Sequence, residues 1–227
     1  MSQAFKARME ILPLAQRLLW PSLMPARQLG LVLYGGTAIA LRLGHRPSID
    51  FDFFSAEPLD RNKIHAIFPF MAEAVVLQDE ATALTVITTA PQGETAHSHV
   101  KVSFFGDIGF GRVGEPQLTD DGVLEIASLE DLMATKLKTI LQRVEAKDYR
   151  DVAALVNAGV SLPHGLAAAR VLFGASFQPS ESLKALVYFK GGDLQTLTES
   201  EKTTLVDAVG AVRGLPDVSI ASKLLIA

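Results

Sequence analysis

Leu31-Val-Leu-Tyr-Gly-Gly-Thr-Ala-Ile-Ala-Leu-Arg-Leu-Gly-His-Arg-Pro-Ser-Ile-Asp-Phe-Asp-Phe-Phe-Ser55 is the stretch on which the fold turns. Its first four residues, Leu31 to Tyr34, form a short apolar run that reads as a buried strand. Gly35 and Gly36 break the run, and Thr37 follows. Ala38, Ile39, Ala40, Leu41 and Leu43 are good helix formers with an apolar face, closed by Gly44. After the basic turn His45-Arg46-Pro47-Ser48, Ile49 to Phe54 alternates strictly. A period of two makes this a strand with Asp50 and Asp52 on one face and Phe51 and Phe53 on the other.

Strand, glycine turn, helix and carboxylate strand provide two kinds of binding group. A Gly-Gly-Thr turn at a helix start offers free backbone N–H groups, unobstructed approach and a hydroxyl. The helix dipole adds partial positive charge, so the turn suits a phosphate. Carboxylates two apart on a strand have Cα atoms roughly 6.5–7 Å from each other, close enough to share a divalent cation. Mg2+ commonly takes one or two protein carboxylates and fills its shell with water and substrate phosphates.

These residues resemble the signature of the minimal nucleotidyltransferases, the DNA-polymerase-β-like superfamily. Within it they are most similar to the AbiEii/AbiGii branch, the nucleotidyltransferase toxins of abortive-infection and toxin–antitoxin systems. The matching positions are Gly35, Gly36, Thr37, Arg46, Asp50 and Asp52. Thirteen positions separate Thr37 from Asp50, with a helix between them. Either motif alone is weak; at this spacing the two together are specific.

Composition sets the bounds. The chain has 227 residues, 48% of them hydrophobic, enough for a substantial core. No apolar run approaches the 18 residues of a membrane helix, and the N-terminus lacks a signal-peptide core, so a cytoplasmic protein without membrane contact is expected. With no cysteine there is no disulfide framework, zinc–thiolate site or thiol nucleophile. A net charge of −4 gives no global basic footprint for nucleic acid.

Outside the signature, the pattern predicts a helix over 4–19 ending near Pro21 and Pro25, with Trp20 as a packing anchor. A second helix is expected over 57–70. A hairpin of 74–77 and 84–89 turning at Gln78-Asp79-Glu80 follows, then a turn at 91–94. His99 to Phe105 alternates as a strand. In the superfamily a third carboxylate often faces the first two at about this point. Here that position is Ser103, with Lys101 on the same face. Three readings follow: the site works with two carboxylates, Asp107 swings in, or nucleotide binds weakly or not at all.

After a short strand at 123–126, Ser128 and Asp131 make a capping-box start. At 100° per residue, Leu129, Leu132, Met133, Leu137, Ile140 and Val144 share one face of a helix. Lys136 and Arg143 stand on its shoulder, where a buried cation is costly unless it snorkels or meets an anion. Lys147-Asp148-Tyr149-Arg150-Asp151 follows, a charge run that alone reads as a solvated turn. The series again resembles the AbiEii family, in which a lysine and a later aspartate line the nucleotide cleft. By that resemblance they are Lys136 and either Asp148 or Asp151. Further helices are expected at 164–173, 179–189 and 198–212, with a short piece after Pro216. Gly191-Gly192 reads as a helix-ending turn.

The expected fold is α/β (α+β). A nucleotidyltransferase-type mixed sheet of four to six strands with flanking helices spans 1–126, and an all-α region spans 127–227. Resemblance implies an Mg2+-dependent nucleotidyltransferase moving a nucleotide from an NTP to a tRNA or protein hydroxyl, with a cognate antitoxin as partner. Gly35, Gly36 and Thr37 would hold phosphates, and Asp50 and Asp52 the Mg2+. Arg46, Lys136 and Arg143 would neutralise the leaving pyrophosphate, and Asp148 or Asp151 would orient or deprotonate the acceptor. The alternatives are a nucleotide- or partner-binding module that has lost chemistry at Ser103, and a structural protein in which Asp50 and Asp52 pair with Arg46 and Lys101.

Overall fold

The computed structural model describes residues 4–89 and 99–227. The chain divides into two compact units. Unit 1 comprises Met1–Gly111, Glu115–Ala127 and Lys223–Ala227; unit 2 comprises Arg112–Gly114 and Ser128–Ser222. The expected turn at 91–94 lies outside the described residues.

Unit 1 is built on a mixed sheet. Its strands are β1 (Val32–Tyr34), β2 (Asp50–Phe54), β3 (Val75–Glu80), β4 (Ala83–Thr89), β5 (His99–Phe105), β6 (Gln117–Leu118) and β7 (Glu125–Ile126). They lie in the order β3-β4-β5-β2-β1-β7-β6, seven strands rather than four to six. The extra strand is β6, whose two residues are too short to carry an alternating pattern and are set by pairing with β7. The strand expected at 123–126 contracts to β7. The β3–β4 hairpin turns at Ala81-Thr82, later than expected, because Gln78, Asp79 and Glu80 all pair with β4.

One sheet face is the core. Phe51 and Phe53 of β2, Val102 and Phe104 of β5, and Leu84 and Val86 of β4 are all essentially inaccessible. Phe53 stacks on Phe104 at 5.7 Å, and Phe68 covers Phe104 at 5.3 Å. Trp20 packs against Phe51 at 6.2 Å, and its indole N–H donates to Asp121 at 2.7 Å, so it is the anchor expected. The other face carries Asp50 and Asp52, both partly exposed.

The helices flanking the sheet are shorter than the pattern implied. α1 covers only Leu14–Leu19, starting after Pro13, and a 3-10 helix at Trp20–Leu29 continues it. Proline fits a helix start, and Phe5 is held in a bridge to Thr119 instead of in a helix. α2 is Gly35–Leu43 and α3 is Arg61–Ile67, the latter capped by Asp60, whose carboxylate accepts from Lys63 N at 3.0 Å. The expected helix over 57–70 is thus cut to seven residues, with a 3-10 turn at Pro69–Ala72 beyond it.

Unit 2 is helical: α4 (Leu129–Ile140), α5 (Ala146–Asn157), α6 (Leu162–Phe173), α7 (Pro179–Leu186) and α8 (Glu199–Ala211). Ser128 caps α4, accepting from Asp131 N at 3.0 Å and donating to Asp131 Oδ2 at 2.7 Å. Burial pushes the Asp131 carboxyl up, against the pull of the Val113 and Gly114 amides and the Ser128 hydroxyl. Thr198 and Glu201 complete the capping box that starts α8. α4 ends at Ile140, so Arg143 and Val144 are not on it, and Val144 is 43% exposed rather than part of the apolar face. The charge run is not a turn either: Lys147 to Asp151 lie inside α5. No helix forms after Pro216. Instead Ser222 bridges Arg112, and in unit 1 Ala227 N donates to Glu125 at 3.3 Å.

No helix among the described residues is long and apolar enough to cross a membrane.

Candidate functional site

Two groups of candidate residues form, one in each unit. In unit 1, β1 and β2 pair antiparallel, with Tyr34 opposite Asp52, and α2 leaves directly from the end of β1. The glycines therefore open the helix itself and do not form a separate turn before it. Gly35 adopts φ +74°, a left-handed conformation that costs glycine little. A Cβ on Gly35 would stand 2.7 Å from Asp52 Oδ2. The first turn of α2, with its unsatisfied N–H groups, thus lies against the carboxylate. Gly36 makes the same allowance for Arg46: a Cβ there would come within 2.5 Å of Nη2. Arg46 Nη1 also donates to the Pro47 carbonyl at 3.0 Å.

Thr37 is turned inward. It is buried, its hydroxyl donates to the Asp50 carbonyl, and its Oγ1 lies 2.8 Å from Ser48 Oγ. Its side chain therefore ties the start of α2 to the start of β2. Ser48 was not singled out from the sequence, where only a Pro-Ser pair ahead of the strand marks it.

On the exposed face of β2, Asp50 lies opposite Lys101 and Asp52 opposite Ser103 in the parallel β2–β5 register. Lys101 Nζ is 3.0 Å from Asp50 Oδ2. Ser103 is buried, and Thr85 Oγ1 donates to its hydroxyl at 3.3 Å. Asp107 does not swing in. It lies four residues past Ser103, roughly 13 Å along an extended chain, exposed and with its amide bonded to the Glu57 carbonyl at 3.1 Å.

The donor set can be compared with the needs of a cation. Among the described residues no three His, Cys, Asp or Glu side chains come together as a cage. Two hard oxygen donors on one strand face, with a glycine leaving room beside one of them, fit Mg2+ that completes its shell with water and phosphate. They do not fit a stand-alone calcium or zinc centre.

In unit 2, Lys136 is only 5% exposed, and Asp148 and Asp151 are fully buried. The Lys136 ammonium lies 2.6 Å from Asp148 Oδ1 and 2.7 Å from Asp151 Oδ2. The residues are brought together because α4 and α5 pack side by side, and Asp148 and Asp151 lie one turn apart on α5. Arg143, in the connection, clasps Asp148 with two bonds, Nε to Oδ2 at 2.8 Å and Nη2 to Oδ1 at 3.1 Å. Burial by itself would raise the Asp148 carboxyl; the Arg143 hydrogen bonds and the Lys136 charge outweigh it and hold the group below its ordinary value. Of the four, Arg143 reaches solvent, with 44% of its side chain exposed.

Residues 25–209 match the protein family described as nucleotidyl transferase AbiEii toxin, type IV TA system. The chain belongs to the AbiEii toxin family. The matched span contains every candidate residue discussed above, from Gly35 to Asp151. The fold of this AbiEii chain is similar to that of MenT4, a nucleotidyltransferase toxin from Mycobacterium tuberculosis H37Rv. The TM-score is 0.54 and identity 14%, over 88% of this chain and 94% of that one. The architecture is thus the α/β nucleotidyltransferase-like fold, with a helical region following the sheet. An uncharacterized protein of Aquifex aeolicus (strain VF5) is 30% identical over 122 residues, 53% of this chain. The AbiEii chain spans about half the length of that curated relative, 54%.

Gly35→Ala is the sharpest single test of the unit 1 geometry. It adds a methyl where φ is positive and where the Asp52 carboxylate lies 2.7 Å away. Such a strained residue costs about 1–3 kcal/mol, and the carboxylate must move. A fall in nucleotide binding of at least tenfold is expected by calorimetry. An unchanged affinity would mean that the Gly35–Asp52 contact is irrelevant to the ligand.

Proposed function

We propose that this AbiEii family member transfers a nucleotide from an NTP to a hydroxyl acceptor on tRNA or protein, with Mg2+ at Asp50 and Asp52. It would act as the toxin of a toxin–antitoxin pair, with a cognate antitoxin as partner. The observation that carries this reading is the contact between Gly35 and Asp52. It sets a helix start suited to phosphate directly beside a carboxylate suited to the cation that phosphate requires.

In the reaction, the acceptor hydroxyl loses its proton to water, its oxygen forms a bond to the α-phosphorus, and the α–β bridging bond breaks so that pyrophosphate leaves. A divalent cation held by Asp50 and Asp52 would neutralise triphosphate charge. Gly35 and Gly36 present amide groups without side chains in the way. Thr37 contributes through its backbone and by fixing Asp50; its hydroxyl is already spent inside. Arg46, laid along Gly36, adds positive charge at the same helix start.

On unit 2, Arg143 is the group offered to a phosphate. Asp148 fixes the plane of its guanidinium, and Lys136, itself paired with Asp151, fixes Asp148. A carboxyl held below its ordinary value is a weak base, which supports a positioning role for Asp148 rather than proton abstraction. Lys136 and Asp151, buried on one another, are read the same way.

A second reading, nucleotide binding without transfer, is favoured by Ser103, which is buried, bonded to Thr85 and offers no third carboxylate. Incubating the protein with each α-32P-labelled NTP, bulk tRNA and a protein extract separates the two. Label fixed in tRNA or protein, lost in Asp50→Asn/Asp52→Asn, supports transfer and identifies the acceptor. Mg2+-dependent binding with no label in either fraction supports the second reading.

A further inference from the structure

Lys101 has no part in the reaction described above, yet its ammonium touches one of the two carboxylates. It stands directly opposite Asp50 on the neighbouring strand, with Nζ 3.0 Å from Oδ2. Both side chains are about a third exposed, 39% and 33%, so the pair sits on the sheet surface and not in the core. An ion pair so placed contributes little to stability. Its effect on the carboxylate pair is larger. Asp50 and Asp52 together carry a charge of −2, and Lys101, in contact with Asp50, offsets one of the two. Asp52 lies opposite Ser103 in the same register.

We propose that Lys101 makes metal loading conditional on the nucleotide. The inference rests on the reading of Asp50 and Asp52 as the metal ligands. A bare divalent cation must displace the ammonium from Asp50 and then sits on an undersized negative charge. A triphosphate changes both terms: it brings its own negative oxygens to the cation, and it gives the displaced ammonium a new partner. Lysine suits such an exchange, because its charge is compact and its four-carbon stem is flexible. Metal and nucleotide then bind with positive coupling, each raising the affinity for the other by the same factor. Lys101 is a positioning residue in this scheme, acting through Asp50.

The test uses Mn2+ as the probe and its free electron paramagnetic resonance signal as the readout. The full chain, Lys101→Met and Lys101→Arg are titrated with and without the α,β-methylene analogues of the four NTPs. For the wild type, the analogue mixture is expected to tighten Mn2+ binding at least tenfold. Lys101→Met is expected to bind Mn2+ alone at least tenfold more tightly than wild type, with coupling reduced below threefold. Lys101→Arg keeps the charge and is expected to stay within threefold of wild type. If Lys101→Met binds Mn2+ alone within twofold of wild type while the wild-type coupling stands, Lys101 is an ordinary surface pair and the inference is wrong. If the wild type fails to retain Mn2+ even with the analogues, the Asp50–Asp52 metal reading falls first.

Discussion

Lys136→Met is expected to destabilise the chain by about 3–5 kcal/mol, the usual cost of removing one partner of a buried ion pair. At this chain length that lowers the melting temperature by about 10 °C. Methionine matches the lysine stem in volume, so packing survives and the loss is electrostatic. Two fully buried carboxylates, Asp148 and Asp151, then share one cation fewer. The pH dependence distinguishes this from a packing defect. In the wild type, Asp148 is held below its ordinary value, so its pairing stabilises the fold above the unfolded carboxyl range, near pH 4. That contribution disappears as pH falls through the lower folded value. In Lys136→Met, Asp148 loses the Lys136 charge that helps to hold it down, so its folded value rises and the deficit is expected to shrink as the pH drops from 7 toward 4. A deficit unchanged over that range, by chemical denaturation, would show that the cluster is not ionised as described. Lys136→Met/Asp151→Leu is expected to recover part of the loss, because it removes a carboxylate along with its cation.

Asp50→Asn/Asp52→Asn is expected to reduce nucleotide transfer by at least 10^3-fold while leaving the fold intact. Both side chains lie on the solvent-facing side of β2 and contribute nothing to the Phe51–Phe53 core beneath. The amide keeps the shape and removes both the charge and the second strong oxygen donor of each group. Electrostatic stabilisation of a transferring phosphoryl group is the dominant contribution in such reactions, and a single lost donor elsewhere costs about 10^2–10^3-fold. The two single variants are expected to be non-additive, since on the proposed reading one cation would use both groups. Transfer within tenfold of wild type in the double variant, with unchanged thermal melting, would remove Asp50 and Asp52 from the chemistry.

What could be read from the sequence, and what could not, divides along physical lines. The placement of Asp50 and Asp52 was legible because a half-buried strand enforces a period of two. The Gly35–Gly36 break was legible too, since adjacent glycines punctuate an apolar run. The inward turn of Thr37 was hidden, because its partners Ser48 and the Asp50 carbonyl reach it only through the β1–α2–β2 fold. On unit 2, the burial of Lys136 followed from its place on the apolar shoulder of α4. Its partners did not, because the chain breaks between Ile140 and Ala146 with no glycine or proline to announce it. That break allows α5 to return beside α4, and it turns a charge run that looks solvated into two buried carboxylates. The N-terminal helix failed for a related reason: amphipathic spacing over 4–12 was overridden by pairing of Phe5 with Thr119, a partner more than a hundred residues away.

The claim on which the account stands is that Asp50, Asp52 and the start of α2 form one metal–triphosphate site. Calorimetric titration of GTP, ATP, CTP and UTP, with and without Mg2+, tests it directly on wild type and Asp50→Ala/Asp52→Ala. Binding of at least one NTP that needs Mg2+ and vanishes in the variant is the expected result. NTP binding that is indifferent both to Mg2+ and to the two substitutions would contradict it.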